Sequence, residues 1–273
     1  MTQPALLSQL VHDRSGAGEP VVLIHGIGHR RQAWDPIVDR LAERYDVIRL
    51  DLAGFGESPA YPDGTPYNMA NACADLAANF AKWGVERPHV VGNSLGGAIA
   101  LELAACGVAS SATVLSPAGF FGRVERLWPL VALSLMRLSS RLPDRVLRVV
   151  SRSRAGRRMV GHLLYSHPER ATAESTYADS LAMKRAAAFF PTIREGLRYD
   201  LGTTGIEVPV TVAWGTEDRL LRYRQSATAR CRLPRAQHVP LPGCGHVPMI
   251  DDPELVASVI ERTIGRAVAS KAA

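Results

Sequence analysis

The chain has only four cysteines among 273 residues, and no two stand at C-x-x-C or zinc-finger spacing. Cys73, Cys106, Cys231 and Cys244 therefore read as free thiols of a reducing compartment rather than a disulfide framework. Long apolar runs are also missing. The longest candidate, Trp128 to Met136, falls well short of the roughly 20 residues needed to span a bilayer. Met1 to Leu10 lacks the basic start and continuous apolar core of a signal peptide, so the expectation is a soluble cytoplasmic protein without stable membrane insertion. No dinucleotide fingerprint is complete: Gly26-Ile27-Gly28 meets Arg31 where a third glycine is required, and Gly54-Phe55-Gly56 runs into Pro59. His25 and His29 bracket a Gly-rich turn rather than one helix face, with no Glu between them. Neither a metal nor a cofactor is expected.

What is present is a chain able to bury a large core, with 47% apolar residues and a net charge of +6. The charge is unevenly placed. Between Phe120 and Tyr199 there are 15 Lys or Arg against 6 Asp or Glu, so the remainder of the chain is slightly acidic. Aromatics make up only 6% of the chain, and this basic segment lacks the interleaved rings of a nucleic-acid platform. No nucleic-acid partner is expected. The simplest reading is a solvated helical face with snorkelling arginines, and Leu127 to Arg158 could also lie on an anionic bilayer.

The first part alternates strand and helix patterns. Strands are predicted over 20–24, 45–50, 88–91 and 111–115, with helices over 32–43, 67–83 and 95–105. This rhythm, with near-continuous apolar strands, predicts an α/β fold: a mostly parallel, doubly wound sheet covered by helices on both faces. From about Phe120 to Tyr199 the period is helical, rich in arginine and punctuated by Pro129, Pro143, Pro168 and Pro191. Strand patterns return at Val208 to Trp214 and Gln237 to Leu241. A closing helix runs from Pro253 to about Val268, and Ser270 to Ala273 are expected to fray. The division is thus a core of residues 1–119 and 200–273 with a helical insertion at 120–199.

The densest chemical signal is Gly92-Asn93-Ser94-Leu95-Gly96-Gly97, a G-x-S-x-G element directly after the apolar run His89-Val90-Val91. A serine on a sharp strand-to-helix turn has a strained backbone, so the positions two before and two after it must be nearly free of side chain. Ser94 is therefore the candidate nucleophile. Its hydroxyl needs a base, and His246 lies on a Gly-rich loop, Gly243-Cys244-Gly245-His246, after the last strand pattern. The loop Trp214-Gly215-Thr216-Glu217-Asp218 offers an orienting carboxylate, and spacing alone leaves Glu217 and Asp218 both open. The N–H of Leu95, at the amino end of its helix, is one candidate oxyanion donor, and that of Ile27 in the loop after the first buried strand is the second.

Together, His25-Gly26-Ile27-Gly28 with Trp34 downstream, Asp51 to Ser58, Gly92 to Gly97, Trp214 to Asp218 and Gly245-His246-Val247-Pro248 resemble the α/β-hydrolase superfamily, in its esterase and meta-cleavage-product hydrolase branch. The resemblance spans nearly the whole chain. It implies the α/β-hydrolase fold with the insertion acting as a cap, or lid. It also makes the W-G-x-x-D aspartate the triad acid, which selects Asp218. A serine at the elbow departs from the aspartate of haloalkane dehalogenases and epoxide hydrolases. Val247 stands where meta-cleavage-product hydrolases usually carry Trp, and His29-Arg30 stands where they show Pro-Gly. The function expected is a serine hydrolase cleaving a carboxylic ester of a small to medium apolar substrate through an acyl-enzyme. The alternatives are a C–C bond hydrolase and a non-catalytic ligand receptor on the same fold. Asp51 and Ser58 are expected to shape a loop, and Trp34 and Trp214 to pack. Oligomeric state has no signature.

Overall fold

In the computed structural model, residues 6–122, 125–197, 199, 201 and 205–272 are described. Position 200, where the core was expected to resume, and Met1 to Ala5 of the leader reading lie outside them, as does Ala273. The elements run in order β1 (His12–Ser15), β2 (Glu19–Ile24), α1 (Asp35–Ala42), β3 (Tyr45–Leu50), α2 (Met69–Lys82), β4 (His89–Asn93), α3 (Leu95–Ala105) and β5 (Ser111–Leu115). Five helices follow: α4 (Leu127–Ser139), α5 (Asp144–Arg152), α6 (Arg154–Gly161), α7 (Ala173–Arg185) and α8 (Phe189–Gly196). The chain closes with β6 (Val210–Gly215), α9 (Gln225–Arg232), β7 (Gln237–Leu241), α10 (Pro248–Asp251) and α11 (Pro253–Ala272).

Seven strands form one sheet in the order β1-β3-β2-β4-β5-β6-β7, parallel except for β1. The central strands β2, β4, β5 and β6 are largely apolar and buried because both faces of the sheet are covered. Alternate residues of β2 feed opposite cores: Val22 and Ile24 pack with Leu76, Phe80 and Ile99 of α2 and α3. Val21 and Leu23 pack instead with Ile37 and Leu41 of α1 and Ile260 and Ile264 of α11. This period of two on both faces is the doubly wound arrangement predicted from the sequence.

Two details differ from the sequence reading. β1 was not predicted, because His-Asp-Arg-Ser has no apolar alternation. It is an edge strand, held by pairing with β3 and by ion pairs such as Arg14–Asp46, with Nε to Oδ1 at 2.8 Å. α11 also continues to Ala272 rather than fraying from Ser270.

From β2 the chain moves outward to β3, then returns to place β4 on the other side of β2. That reversal opens a crevice at the carboxyl ends of β2 and β4, where open α/β sheets bind ligands. The loop after β2 and the turn after β4 both lie there. The helices α4 to α7 contribute residues to a cavity of about 410 Å³ that these loops also line.

Candidate active site

Ser94 links β4 to α3 with φ +56° and ψ −115°, a region that non-glycine residues rarely occupy. Such strain costs on the order of 1–3 kcal/mol and persists only where the surroundings impose it. Three backbone bonds do so here. The Ser94 N–H donates to Leu115 O at 3.0 Å, and Ser94 O accepts from Ala98 N–H at 3.1 Å and Ala118 N–H at 3.0 Å. The flanking glycines are a steric requirement. A Cβ on Gly92 would lie 2.0 Å from Gly96 O, and one on Gly96 would lie 2.1 Å from Ile24 O.

Ser94 and His246 line the same cavity, on loops that leave β4 and β7. His246 is buried, and its Nδ1 lies 2.8 Å from Asp218 Oδ2. The other carboxylate oxygen of Asp218 accepts the N–H groups of Leu220 (2.9 Å) and Leu221 (2.7 Å). Both oxygens are thus engaged, and the carboxylate is fixed against the imidazole. Glu217, its sequence rival, is exposed, and its N–H donates to Cys244 O at 2.9 Å, tying the two loops together.

Leu95 opens α3. The first intrahelical bond runs from Ala98 N–H to Ser94 O, so the Leu95 N–H lies in the first turn, where amides have no intrahelical partner. Ile27 lines the cavity on the loop after β2. His25 pins that loop. Its Nδ1–H donates to Gly26 O at 2.7 Å and its Nε2 accepts the Leu52 N–H at 3.0 Å. Both ring nitrogens are used by backbone in the neutral form, and burial pushes His25 down to about 4. Gly26 in turn abuts Ser94, since a Cβ there would lie 3.2 Å from the serine Cβ.

Asp51 and Ser58 shape the neighbouring loop. Asp51 accepts from the Arg31 N–H (2.6 Å) and the Glu57 N–H (3.0 Å), and the Ser58 hydroxyl donates to Asp51 O at 2.7 Å. Trp34 and Trp214 are fully buried, and Trp214 Nε1–H donates to Leu221 O at 2.7 Å. Burial raises the Cys244 thiol to about 12, leaving it protonated and unreactive near neutral pH.

Three positioning residues escaped the sequence reading. Asn93 Nδ2 donates to His246 O at 2.8 Å and to Leu115 O at 3.0 Å, joining the elbow to the histidine loop. The buried carboxylate of Asp251 accepts N–H groups from Gly245 (2.7 Å), Ser166 (3.1 Å) and His167 (2.7 Å), clasping that loop to the helical segment. Asp179, on the cavity wall, pairs with Arg30 Nε at 2.8 Å across 149 positions of sequence. Only Asn93 carried a sequence signal, its place inside the elbow.

A parallel sheet with a strained serine turn and an Asp–His pair at its carboxyl edge is the architecture of a hydrolase class. The chain belongs to the alpha/beta hydrolase family, whose model matches residues 21–259. It is 28% identical over 268 residues to a pimeloyl-[acyl-carrier protein] methyl ester esterase of Aeromonas hydrophila, covering 93% of this chain and 98% of that protein. Among solved structures it is similar to a bacterial membrane phospholipase A, at 26% identity and TM-score 0.74, covering 95% of this chain and 86% of that one. A meta-cleavage product hydrolase of Pseudomonas fluorescens shares the fold at 19% identity and TM-score 0.74, with 96% and 97% covered. No helix among the described residues is long and apolar enough to cross a membrane.

Proposed function

We propose that this protein is a serine hydrolase of the reducing, cytoplasmic compartment that cleaves a carboxylic ester of a small to medium apolar substrate. The observation that carries the reading is the buried His246–Asp218 pair at 2.8 Å, lining the same cavity as the strained Ser94. In this reading His246 Nε2 takes the Ser94 hydroxyl proton as Oγ attacks the ester carbon. The Nδ1–H donates to Asp218, which stabilises the imidazolium formed. The oxyanion accepts hydrogen bonds from the N–H groups of Leu95 and Ile27, a donor pair in which each member is typically worth about 3 kcal/mol. His246 then returns the proton to the departing alcohol. In the second half it activates a water molecule, which releases the acid and restores Ser94.

The wall opposite Ser94 supports an apolar substrate. Leu133, Met136, Leu147, Leu163, Leu164 and Met183 line it, and its 410 Å³ matches a small-molecule site. These residues belong to the helical insertion at 120–199, which we assign as a cap over the core of 1–119 and 200–273. The relative named as a methyl ester esterase adds weight to ester chemistry. A fluorophosphonate probe tests the assignment: it labels the wild type at Ser94 and leaves Ser94→Ala unmodified. Equal labelling of the two, or none of the wild type, contradicts it.

A further inference from the structure

Helix α4 is largely apolar on both of its faces, with one buried arginine, Arg137, on the inner side bound to the Lys184 and Ala186 carbonyls. Pro129, Ala132 and Leu133 point inward and are buried, while Leu127, Trp128, Val131, Leu135 and Leu138 are 41–62% exposed. At about 100° per residue, the five outward positions fall in a stripe about 100° wide. Further along the same segment, Val149 of α5 and Met159 of α6 are 67% and 70% exposed, and Met159 lines the cavity together with Trp128 and Leu135 of α4. A helix apolar all round ordinarily sits in a core or against another apolar body. The described residues leave about half of this outer stripe open to solvent, although the Trp128 indole N–H is tied to Arg219 O at 2.9 Å.

The charges along the same stretch of chain are nearly all of one sign. Positions 127–161 hold eight arginines and one acid, Asp144, and Asp144 is already taken by Lys184 Nζ at 2.7 Å. Arg141, Arg145, Arg148, Arg152, Arg154 and Arg158 are exposed.

We propose that this face docks the protein on an anionic lipid surface, with the α4 stripe in the headgroup layer and the arginines on lipid phosphates. Aliphatic side chains and a tryptophan flanked by cations are what an interfacial helix presents. The guanidinium forks match phosphate oxygens, while their stems add apolar cover. A second copy of the chain is a poor occupant, because a two-fold contact would bring the two arginine fields together. The stripe also reaches the site, since Trp128, Leu135 and Met159 line the cavity as well. A docked molecule would therefore take an apolar substrate from the bilayer without passing it through bulk water. That last consequence rests on the ester reading; the docking does not.

The test is sedimentation of the full chain with phosphatidylcholine vesicles, with and without about one-third phosphatidylglycerol. The protein binds the anionic vesicles, and raising salt from about 0.05 M to about 0.5 M weakens binding at least tenfold. Arg145→Glu with Arg152→Glu lowers partitioning at least tenfold, since each interfacial arginine contributes roughly fivefold. Leu138→Asp with Val149→Asp, at positions outside the cavity, lowers it by about the same factor. Its thermal midpoint and its hydrolysis of a short soluble ester stay at wild-type values. If the aspartates disturb folding, the paired serine substitutions replace them. Ser94→Ala binds vesicles as the wild type does, so failure of the chemistry and failure of the docking are scored separately. No binding, equal binding to neutral and anionic vesicles, or arginine-dependent binding that survives both apolar substitutions overturns the proposal. The last result would assign the face to an acidic protein or another polyanion.

Discussion

The loops at the carboxyl edge of the sheet and the helices facing them across the cavity satisfy their side chains in different ways. At the edge, Asp218, Asn93, His25 and Asp251 are buried, and each makes at least two hydrogen bonds, mostly to backbone. Across the cavity, α4 to α6 present a wall of aliphatic side chains, with a largely apolar, arginine-rich outer surface. Directional bonds fix atoms to within a fraction of an ångström, as proton transfer requires, whereas dispersion contacts accept many shapes. The proposed function therefore assigns chemistry to the edge and selection to the helices. Substitutions in each region separate the two roles.

The largest effect is expected at the edge. Ser94→Ala lowers kcat on the order of 10⁵-fold while leaving the melting temperature at the wild-type value, as steady-state kinetics and calorimetry will show. Asp218→Asn should cost on the order of 10⁴-fold in kcat, whereas Glu217→Gln stays within about twofold, because only Asp218 meets the imidazole. Similar losses for both acids would break the assignment of roles.

Asp251→Ala probes the clasp between the two regions. It orphans three backbone N–H groups, two on the helical segment and one beside His246. A loss of about 3 kcal/mol or more follows, read as a melting temperature lower by about 6–12 °C together with a fall in kcat. A fall in activity without loss of stability would show that Asp251 acts only through the histidine loop.

Acid should weaken the edge through His25. Its folded value of about 4 lies below the ordinary 6.5, so the native state binds fewer protons than the unfolded chain between those values. Its contribution is complete above pH 6.5 and is lost as pH falls toward 4, by on the order of 2–3 kcal/mol. Denaturant titrations of wild type and His25→Asn across this range measure it, and the variant should lack this component of the slope. The smallest effect is expected in the opposite wall. Met136→Ala enlarges the cavity and shifts the preferred ester chain length, changing kcat/KM by about tenfold with kcat little altered.

The same division explains what could be read from the sequence. The sheet was legible because β2, β4, β5 and β6 are largely apolar and buried on both faces, and the elbow because close backbone contacts at Gly92 and Gly96 tolerate no side chain. β1 was not, because a polar edge strand needs only one partner and carries no alternation. Asp251 and the Arg30–Asp179 pair were hidden for another reason. Apart from Gly245, six positions from Asp251, their partners lie 84 to 149 positions away, and a lone acid in sequence does not reveal which amides or cations it will meet. Spacing left Glu217 and Asp218 both open and the family resemblance chose Asp218; the folded loop separates them physically, with Asp218 buried and Glu217 exposed.

In the proposed function the edge residue Ser94 carries the acyl group, and that role has a direct chemical test. It is tested most directly by mixing the protein with p-nitrophenyl acetate, quenching within the first turnover, and mapping the modified peptide by mass spectrometry. The wild type should release a burst of p-nitrophenol approaching one per protein and carry acetyl on Ser94, and Ser94→Ala should show neither. Undiminished turnover by Ser94→Ala, with no acetylated peptide in the wild type, would contradict it.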